Sequence, residues 1–381
     1  MSTGRIRYGM VGGGPGAFIG AVHRMAARLE GRYELVAGAF SSDPGRAAAM
    51  GAELNLDPGR AYETFGEMAQ AERARPDGIE AVVIVTPNHL HFAVARAFLE
   101  AGVHVICDKP VTTTLADAEA LRELVKASGR LFFVTYTYGT YPMVSQARAL
   151  VRSGEIGAVR VVQVEYAQSW LSTAVEFAGS RQASWRMDPA RAGEGGCLGD
   201  IGTHAYHLVE YVTGLTTQSL AAELTRFVPG RRLDDNVQVM LRFAGGARGS
   251  LWASQVAAGE DNALRLRVYG EKASVCWDQE HPEELRFAPL GSPPQTMRRG
   301  GPGVGPWATG VTRLPIGHPE GTLEGFGLLY SEVADAIIAV REQRPLPAIR
   351  VATIEEGVAG VRFVDACVRS ARQDTAWVNL A

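Results

Sequence analysis

The first third of the chain alternates strand-length apolar runs with stretches of helical period. Residues 6–11, 35–40, 81–85, 104–107 and 131–134 are short runs rich in Val, Ile and Phe. Between them, apolar positions recur at helical spacing over about 17–30, 44–54, 63–75, 89–101 and 114–128. Thr114, with Asp117 three residues on, makes a loose capping box for the last of these. A strand that is apolar along its whole length needs cover on both faces, and intervening helices provide it in a parallel sheet. The pattern predicts an α/β, doubly wound Rossmann domain over residues 1–135, with its ligand crevice beyond the carboxyl ends of the strands.

After about residue 135 the rhythm changes. Residues 159–166, 236–243 and 264–269 alternate apolar and polar positions, so each strand has one buried and one wetter face. Helical patterns at about 142–153, 200–213, 322–342 and 353–371 would cover the buried side. Residues 136–381 therefore read as an α+β domain with an open, largely antiparallel sheet. Within it, 289–321 is dense in Gly and Pro and too long for an idle connection, so it is expected to pack as a loop over a site or to be mobile.

Composition narrows the class. The 381 residues, 46% hydrophobic and 21% charged, are enough for two domains with proper cores. A net charge of −3 gives no footprint for a nucleic-acid binder. No apolar run approaches the roughly 20 residues needed to span a bilayer, and the N-terminus enters a strand without a signal-peptide pattern. Cys107, Cys197, Cys276 and Cys367 form no CxxC pair and read as reduced thiols. A cytoplasmic protein without a membrane or nucleic-acid partner is expected.

Three segments carry candidate chemistry. Gly12, Gly14 and Ala17 fill the three positions of a GxGxxG/A pattern directly after the first strand and before the first helix. That context suits a pyrophosphate held against helix N-terminal amides; a tight turn without a ligand is the alternative. Thr86, Pro87 and Asn88 follow the third strand run, and Asp108, Lys109 and Pro110 follow the next, both at strand carboxyl ends. A lysine there can hydrogen-bond a substrate hydroxyl and ease loss of its proton, or simply be solvated. Pro110 biases the preceding residues toward extended geometry. In the second half, Asp200, His204 and His207 are spaced i, i+4 and i+7 on a predicted helix, which puts all three on one face. Three readings stand for them: a self-satisfied polar cluster, a zinc or iron site, and an acid/base pair. No HExxH motif or further ligand cluster supports a metal.

Taken in order, these segments resemble the glucose–fructose oxidoreductase / inositol dehydrogenase (Gfo/Idh/MocA) family over nearly the whole chain. The resemblance implies a nicotinamide-dependent enzyme that oxidises or reduces sugars, inositols and related polyols, with Lys109, Asp200 and His204 as catalytic trio. It implies cofactor contacts from Gly12, Gly14, Ala17, Phe18, Ile19, Ser41, Ser42, Arg46, Thr86, Asn88, His91, Asp108 and Lys109. Substrate contacts would come from Tyr136, Tyr138, Trp185, Arg186, Asp200, His204, His207 and His318. Three features depart from the family pattern. The glycine loop is about three residues long if Ile19 and Gly20 are matched to the family's own Ile-Gly, Asp108 stands where Glu is typical, and His207 stands where many relatives carry Asp.

The expected activity is NAD(P)-dependent oxidation of a secondary hydroxyl of a sugar, glycoside or inositol-like polyol, by analogy at the pyranoside 3-position. The alternatives are keto-sugar reduction, a non-catalytic nucleotide-binding regulator, and a metal-dependent lyase or hydrolase built on Asp200, His204 and His207. No acid stands at Phe40 or Ser41, where an NAD-selective protein usually meets the ribose, and Arg46 lies close by. That leans toward NADP or dual use; Asp43 is the opposing residue, unless its place before Pro44 makes it a helix cap. A homodimer or homotetramer joined through the outer face of the second sheet is expected.

Overall fold

The computed structural model describes residues 4–380, which form two compact units. The first comprises the chain to Thr137 together with Thr322–Val358; the second comprises Tyr138–Gly321 and the C-terminal stretch from Ala359. The division is not the contiguous one expected from sequence. Residues 322–358, expected in the second domain, pack with the first: Leu329, Tyr330, Val333 and Ile337 of helix Thr322–Arg341 share a core with Ile6, Met10 and Val83. Periodicity shows that such a helix has an apolar face but not which sheet will cover it.

In the first unit, strands β1 (Ile6–Gly12), β2 (Tyr33–Ala39), β3 (Ala81–Val85), β4 (His104–Cys107) and β5 (Phe132–Val134) form a parallel sheet in the order β2-β1-β3-β4-β5. A short antiparallel strand, Ala352–Thr353, is added beside β5. β3 is buried at every position, as its uninterrupted apolar run requires. The Thr114 cap accepts the Asp117 N–H at 3.1 Å, as the sequence anticipated, and a full capping box joins Thr64 and Glu67. The strand order reverses between β1 and β3, and the glycine loop and Thr86 leave the sheet there.

The second unit is built on a nine-stranded, mostly antiparallel sheet. Its main strands are β6 (Val159–Ala167), β7 (Thr217–Thr225), β8 (Asn236–Phe243), β9 (Arg248–Ser254), β10 (Ala263–Gly270), β11 (Ala273–Asp278), β12 (Glu284–Pro289) and β13 (Gln295–Arg298), in the order β13-β12-β11-β10-β6-β9-β8-β7. Val378–Asn379 closes the edge beside β7, and only β6 and β9 run parallel. Val162, Val164, Val239, Leu251 and Leu266 point inward to helices Pro142–Arg152 and Thr203–Thr213. Residues 289–321 are less bare than a loop, holding β13 and a one-turn helix, Pro306–Thr309. Buried Arg299 anchors this segment, donating to the carbonyls of Leu314 (2.6 Å) and His318 (2.5 Å) and to the carboxylates of Glu283 and Glu320. Among the described residues no helix is long and apolar enough to cross a membrane.

Candidate active site

The first unit supplies a phosphate cradle. Gly12 and Gly13 have φ of +85° and +69°, in the left-handed region that favours glycine. A Cβ on Gly14 would lie 2.6 Å from the Phe40 carbonyl oxygen, and one on Gly20 would lie 2.5 Å from Gly13 Cα. The tight approach of helix to loop, assigned on strict register to Ala17, is therefore made by Gly20. Ala17 is the N-cap of helix Phe18–Leu29 and offers no side-chain cap, which leaves the first-turn N–H groups for an anion. The loop fits a dinucleotide pyrophosphate. Phe18 stands 69% exposed at the helix start, and Ile19 packs toward the core.

After β2, Asp43 accepts the Arg46 N–H at 2.8 Å as N-cap of helix Pro44–Glu53, and its own N–H donates to Ser41 Oγ at 3.1 Å. This is the capping role weighed against a ribose contact. Ser42 is exposed, and the Arg46 guanidinium donates to the Pro15 carbonyl at 3.1 Å, on the glycine loop. Gly12 is paired with Val85 across β1 and β3, so the loop lies beside Thr86, whose Oγ1 is buried without a hydrogen-bond partner; Asn88 is buried in the turn that follows.

Two proposed cofactor residues turn inward instead. His91 is fully buried, with Nδ1 2.8 Å from the Pro110 carbonyl and Nε2 2.9 Å from the Thr86 carbonyl. Its ring ties two loops together and has no nitrogen left for a ligand. Asp108 Oδ1 accepts from Thr135 Oγ1 at 2.6 Å and lies 3.1 Å from His23 Nε2; His23 Nδ1 is in turn 2.8 Å from Tyr330 Oη. Burial would raise the Asp108 pKa, but the charge and hydrogen bond of His23 and the Thr135 hydroxyl hold it below the usual carboxylate range. Asp108 thus fixes the backbone ahead of Lys109, which is partly exposed. The Lys109–Pro110 peptide is cis, where only an extended bias was expected.

The second unit supplies the acid and the imidazole. Asp200 lies in a π-helical turn, Leu198–Gly202, which runs into the α-helix carrying His204 and His207. The 3.6-residue spacing assumed between Asp200 and His204 does not hold across that wide turn. The turn is clamped by buried Asp234, whose carboxylate accepts from Gly196 N (2.6 Å), Leu198 N (2.8 Å) and the Cys197 thiol (3.1 Å). Burial pushes the Asp234 pKa up despite these donors. Asp200 Oδ2 is met by Gln255 Nε2 at 2.9 Å and Arg186 Nε at 3.4 Å. Tyr138 stands edge-on to the His204 ring at 5.0 Å, with Tyr166 behind it at 6.3 Å.

The structure therefore groups Tyr138, Arg186, Asp200 and His204. Trp185 lies beneath the Arg186 guanidinium at 4.3 Å, His207 is buried against Tyr211, and His318 is exposed on the Arg299-anchored segment. Tyr136 is buried in the first unit. Sequence reasoning missed Tyr166, Gln168, Asp234, Gln255 and Asn262. The one available signal was Tyr166, a phenol in phase with Val162 and Val164 on the buried face of β6. Among the described residues no three His, Cys, Asp or Glu side chains are arranged to hold a metal ion.

A glycine cradle at the reversal of a parallel sheet, with an acid and an imidazole carried on a separate α+β unit, defines a nucleotide-dependent oxidoreductase. A family model described as "Oxidoreductase family, NAD-binding Rossmann fold" matches residues 6–136, and the GFO/IDH/MocA C-terminal domain matches 144–276. An uncharacterized oxidoreductase of Bacillus subtilis is 36% identical over 98% of this chain and 96% of its own. The levoglucosan dehydrogenase of Pseudarthrobacter phenanthrenivorans is 32% identical over 64% of this chain and 68% of its own. An inositol dehydrogenase homologue from Azotobacter vinelandii, solved with NAD+, superposes with a TM-score of 0.97 at 41% identity, covering 99% of this chain and 98% of that one. An inositol dehydrogenase homologue from Azotobacter vinelandii solved with NADH and myo-inositol superposes with a TM-score of 0.91 at 39% identity, covering 99% of this chain and 98% of that one. The chain belongs to the Gfo/Idh/MocA family, and it is an oxidoreductase with an NAD-binding Rossmann domain.

Proposed function

We propose that this enzyme oxidises a secondary hydroxyl of a sugar, glycoside or inositol-like polyol. His204 takes the hydroxyl proton, and Lys109 hydrogen-bonds the oxygen as negative charge grows on it. Asp200 orients His204 and accepts a neighbouring hydroxyl of the substrate. Bound nicotinamide nucleotide supplies the hydride acceptor, cradled by the glycine loop, Thr86 and Asn88. The observation that carries the reading is the Asp200 carboxylate, held by a Gln255 hydrogen bond and an ion pair with Arg186 one turn before an imidazole with an aromatic wall. Relatives solved with myo-inositol or named for levoglucosan support the substrate class. Keto-sugar reduction would use the same groups, and oxidation at the pyranoside 3-position is the regiochemistry we infer.

Dual nucleotide use belongs to the same reading. Asp43 is committed to its cap, and Ser41 with Arg46 leaves the ribose 2′ position open to a phosphate. Comparing kcat/KM for NAD and NADP should give a ratio below about 100, or about 2.7 kcal/mol; a stronger NAD preference overturns it. Substrate class is tested by a panel of sugars, glycosides and inositols, followed by the absorbance of reduced nicotinamide. Turnover of at least one polyol, with a 3-keto product from a methyl glycoside by NMR, is expected. Inactivity across the panel in both directions would refute the substrate class.

A further inference from the structure

Gln255 follows β9 and is fully buried, yet its Oε1 has no hydrogen-bond partner. A buried amide normally satisfies both ends, so an orphaned acceptor needs a cause. The cause lies at the other end. Nε2 donates to Asp200 Oδ2 at 2.9 Å and to Gln168 Oε1 at 3.3 Å. Turning the amide over would set its oxygen against two oxygens, so this orientation is imposed. The backbone is fixed too, its N–H donating to the Asp235 carbonyl and its carbonyl accepting from Leu171 N.

Gln168 is locked in the same way. Its Oε1 also accepts from Trp170 Nε1 at 3.0 Å, and its Nε2 donates to Asn262 Oδ1 at 2.8 Å. Tyr166 Oη donates to that same Asn262 oxygen at 2.7 Å. With the Tyr166 proton so used, Tyr138 Oη donates to Tyr166 Oη at 2.5 Å, and Asn262 Nδ2 donates to Tyr138 Oη at 3.4 Å. The two phenols and the amide close a ring of one-way hydrogen bonds beside His204. Burial raises the pKa of both phenols, so both protons stay in place.

We propose that Gln255 is the positioning residue of Asp200: its locked amide fixes the carboxylate that orients His204, and Gln168 with Asn262 is the frame that locks it. The proposal rests on the role given to Asp200 above. Other groups around Asp200 are the Arg186 guanidinium from helix Arg181–Arg186, the Tyr138 and Tyr166 phenols, the Cys197 thiol at the start of its own turn, and His204 one turn on. Losing the amide leaves Arg186 to hold the carboxylate.

The test compares Gln255→Leu, the near-isosteric Gln255→Glu and Asp200→Asn in the full chain with a polyol that is turned over. Gln255→Leu should lower kcat by about 10- to 100-fold with NADH affinity within about twofold of the parent. A carboxylate that loses a donor takes a proton more readily, so the acid limb of kcat/KM should move up by about half a pH unit or more. Gln255→Glu sets a second carboxyl against the first and should move that limb further up. A merely structural role would lower Tm and kcat with the acid limb unmoved, and that result overturns the inference. So does unchanged kcat in both Gln255 variants while Asp200→Asn abolishes turnover. If Asp200→Asn itself keeps normal turnover, the underlying reading of Asp200 is what fails.

Discussion

Lys109 and His204 can be proposed from the sequence because each belongs to a short motif whose neighbours fix its place. Lys109 ends a strand, and His204 follows a glycine-rich turn by a few residues. If they do the proton chemistry, Lys109→Ala and His204→Ala should each lower kcat by about 10²–10⁴-fold and leave NADH binding largely intact, measured by steady-state kinetics and fluorescence titration. Near-normal turnover in both variants would refute the acid/base assignment. Residues that act through others were not legible. Gln255 lies 55 positions from Asp200 and reaches it only because β9 ends beside the π-helical turn. Local pattern also overreached. His91 and Asp108 sit among motif residues proposed to meet the cofactor, yet the fold uses both side chains to bond loops to each other. A polar residue in a motif is equally suited to a ligand and to the backbone carbonyl beside it, and only the packing decides.

At the level of elements, uninterrupted apolar runs marked the parallel strands and alternation marked the antiparallel ones, because burial on two faces or one is written directly into side-chain order. Weaker alternation hid β7 and β9: the small residues Ala221, Ala222, Gly249 and Ala253 fill positions where a bulky apolar residue would have signalled. The glycine loop shows how register depends on packing. Gly20→Val should weaken NADH binding and lower Tm, because a side chain there meets Gly13 Cα at 2.5 Å and must push helix from loop. Unchanged nucleotide affinity would argue that Gly20 is replaceable. His104, at the start of β4, accepts the Leu131 N–H on Nδ1 at 2.9 Å, and burial together with Arg130 lowers its pKa to about 4. The unfolded chain binds a proton there near pH 6.5, whereas the folded chain does not until near pH 4. Stability should therefore fall as pH drops between those values, with His104 accounting for up to about 3 kcal/mol, and level off below. Denaturant melts of the parent and His104→Gln across that window should show a shallower slope in the variant; equal slopes would contradict the assignment.

On the scale of the whole molecule, sequence conveyed two architectures but not their true partition, since helix Thr322–Arg341 returns to the first unit after about 180 residues of the second. It also overstated how apolar the outer sheet face would be. Only Val161, Met240 and Tyr269 stand out as well-exposed large apolar side chains on the central strands, with Trp252 half-buried. Around them, Glu165 lies between Arg265 (3.3 Å) and Arg267 (3.2 Å), and Arg265 also reaches Asp278 and Glu260. These charges neutralise one another within the face, so covering it would leave few of them unpaired. Strands about 4.8 Å apart and on average about 22 Å long give the nine-stranded sheet a face of roughly 900 Å². That is near the roughly 800 Å² per partner of a standard stable interface. Val161 pairs with Tyr269 across β6 and β10, and Met240 lies two strands from Val161, so the apolar residues fall toward the middle of the face, with polar side chains around them. We therefore expect a homodimer or homotetramer joined through this face. Light scattering at micromolar concentration should give at least twice the chain mass, and Val161→Asp with Met240→Asp should shift the protein toward monomer by placing uncompensated carboxylates where a partner would bury them. A parent protein that scatters as a monomer would show that the ion-paired face is content in water, and the expectation would be lost.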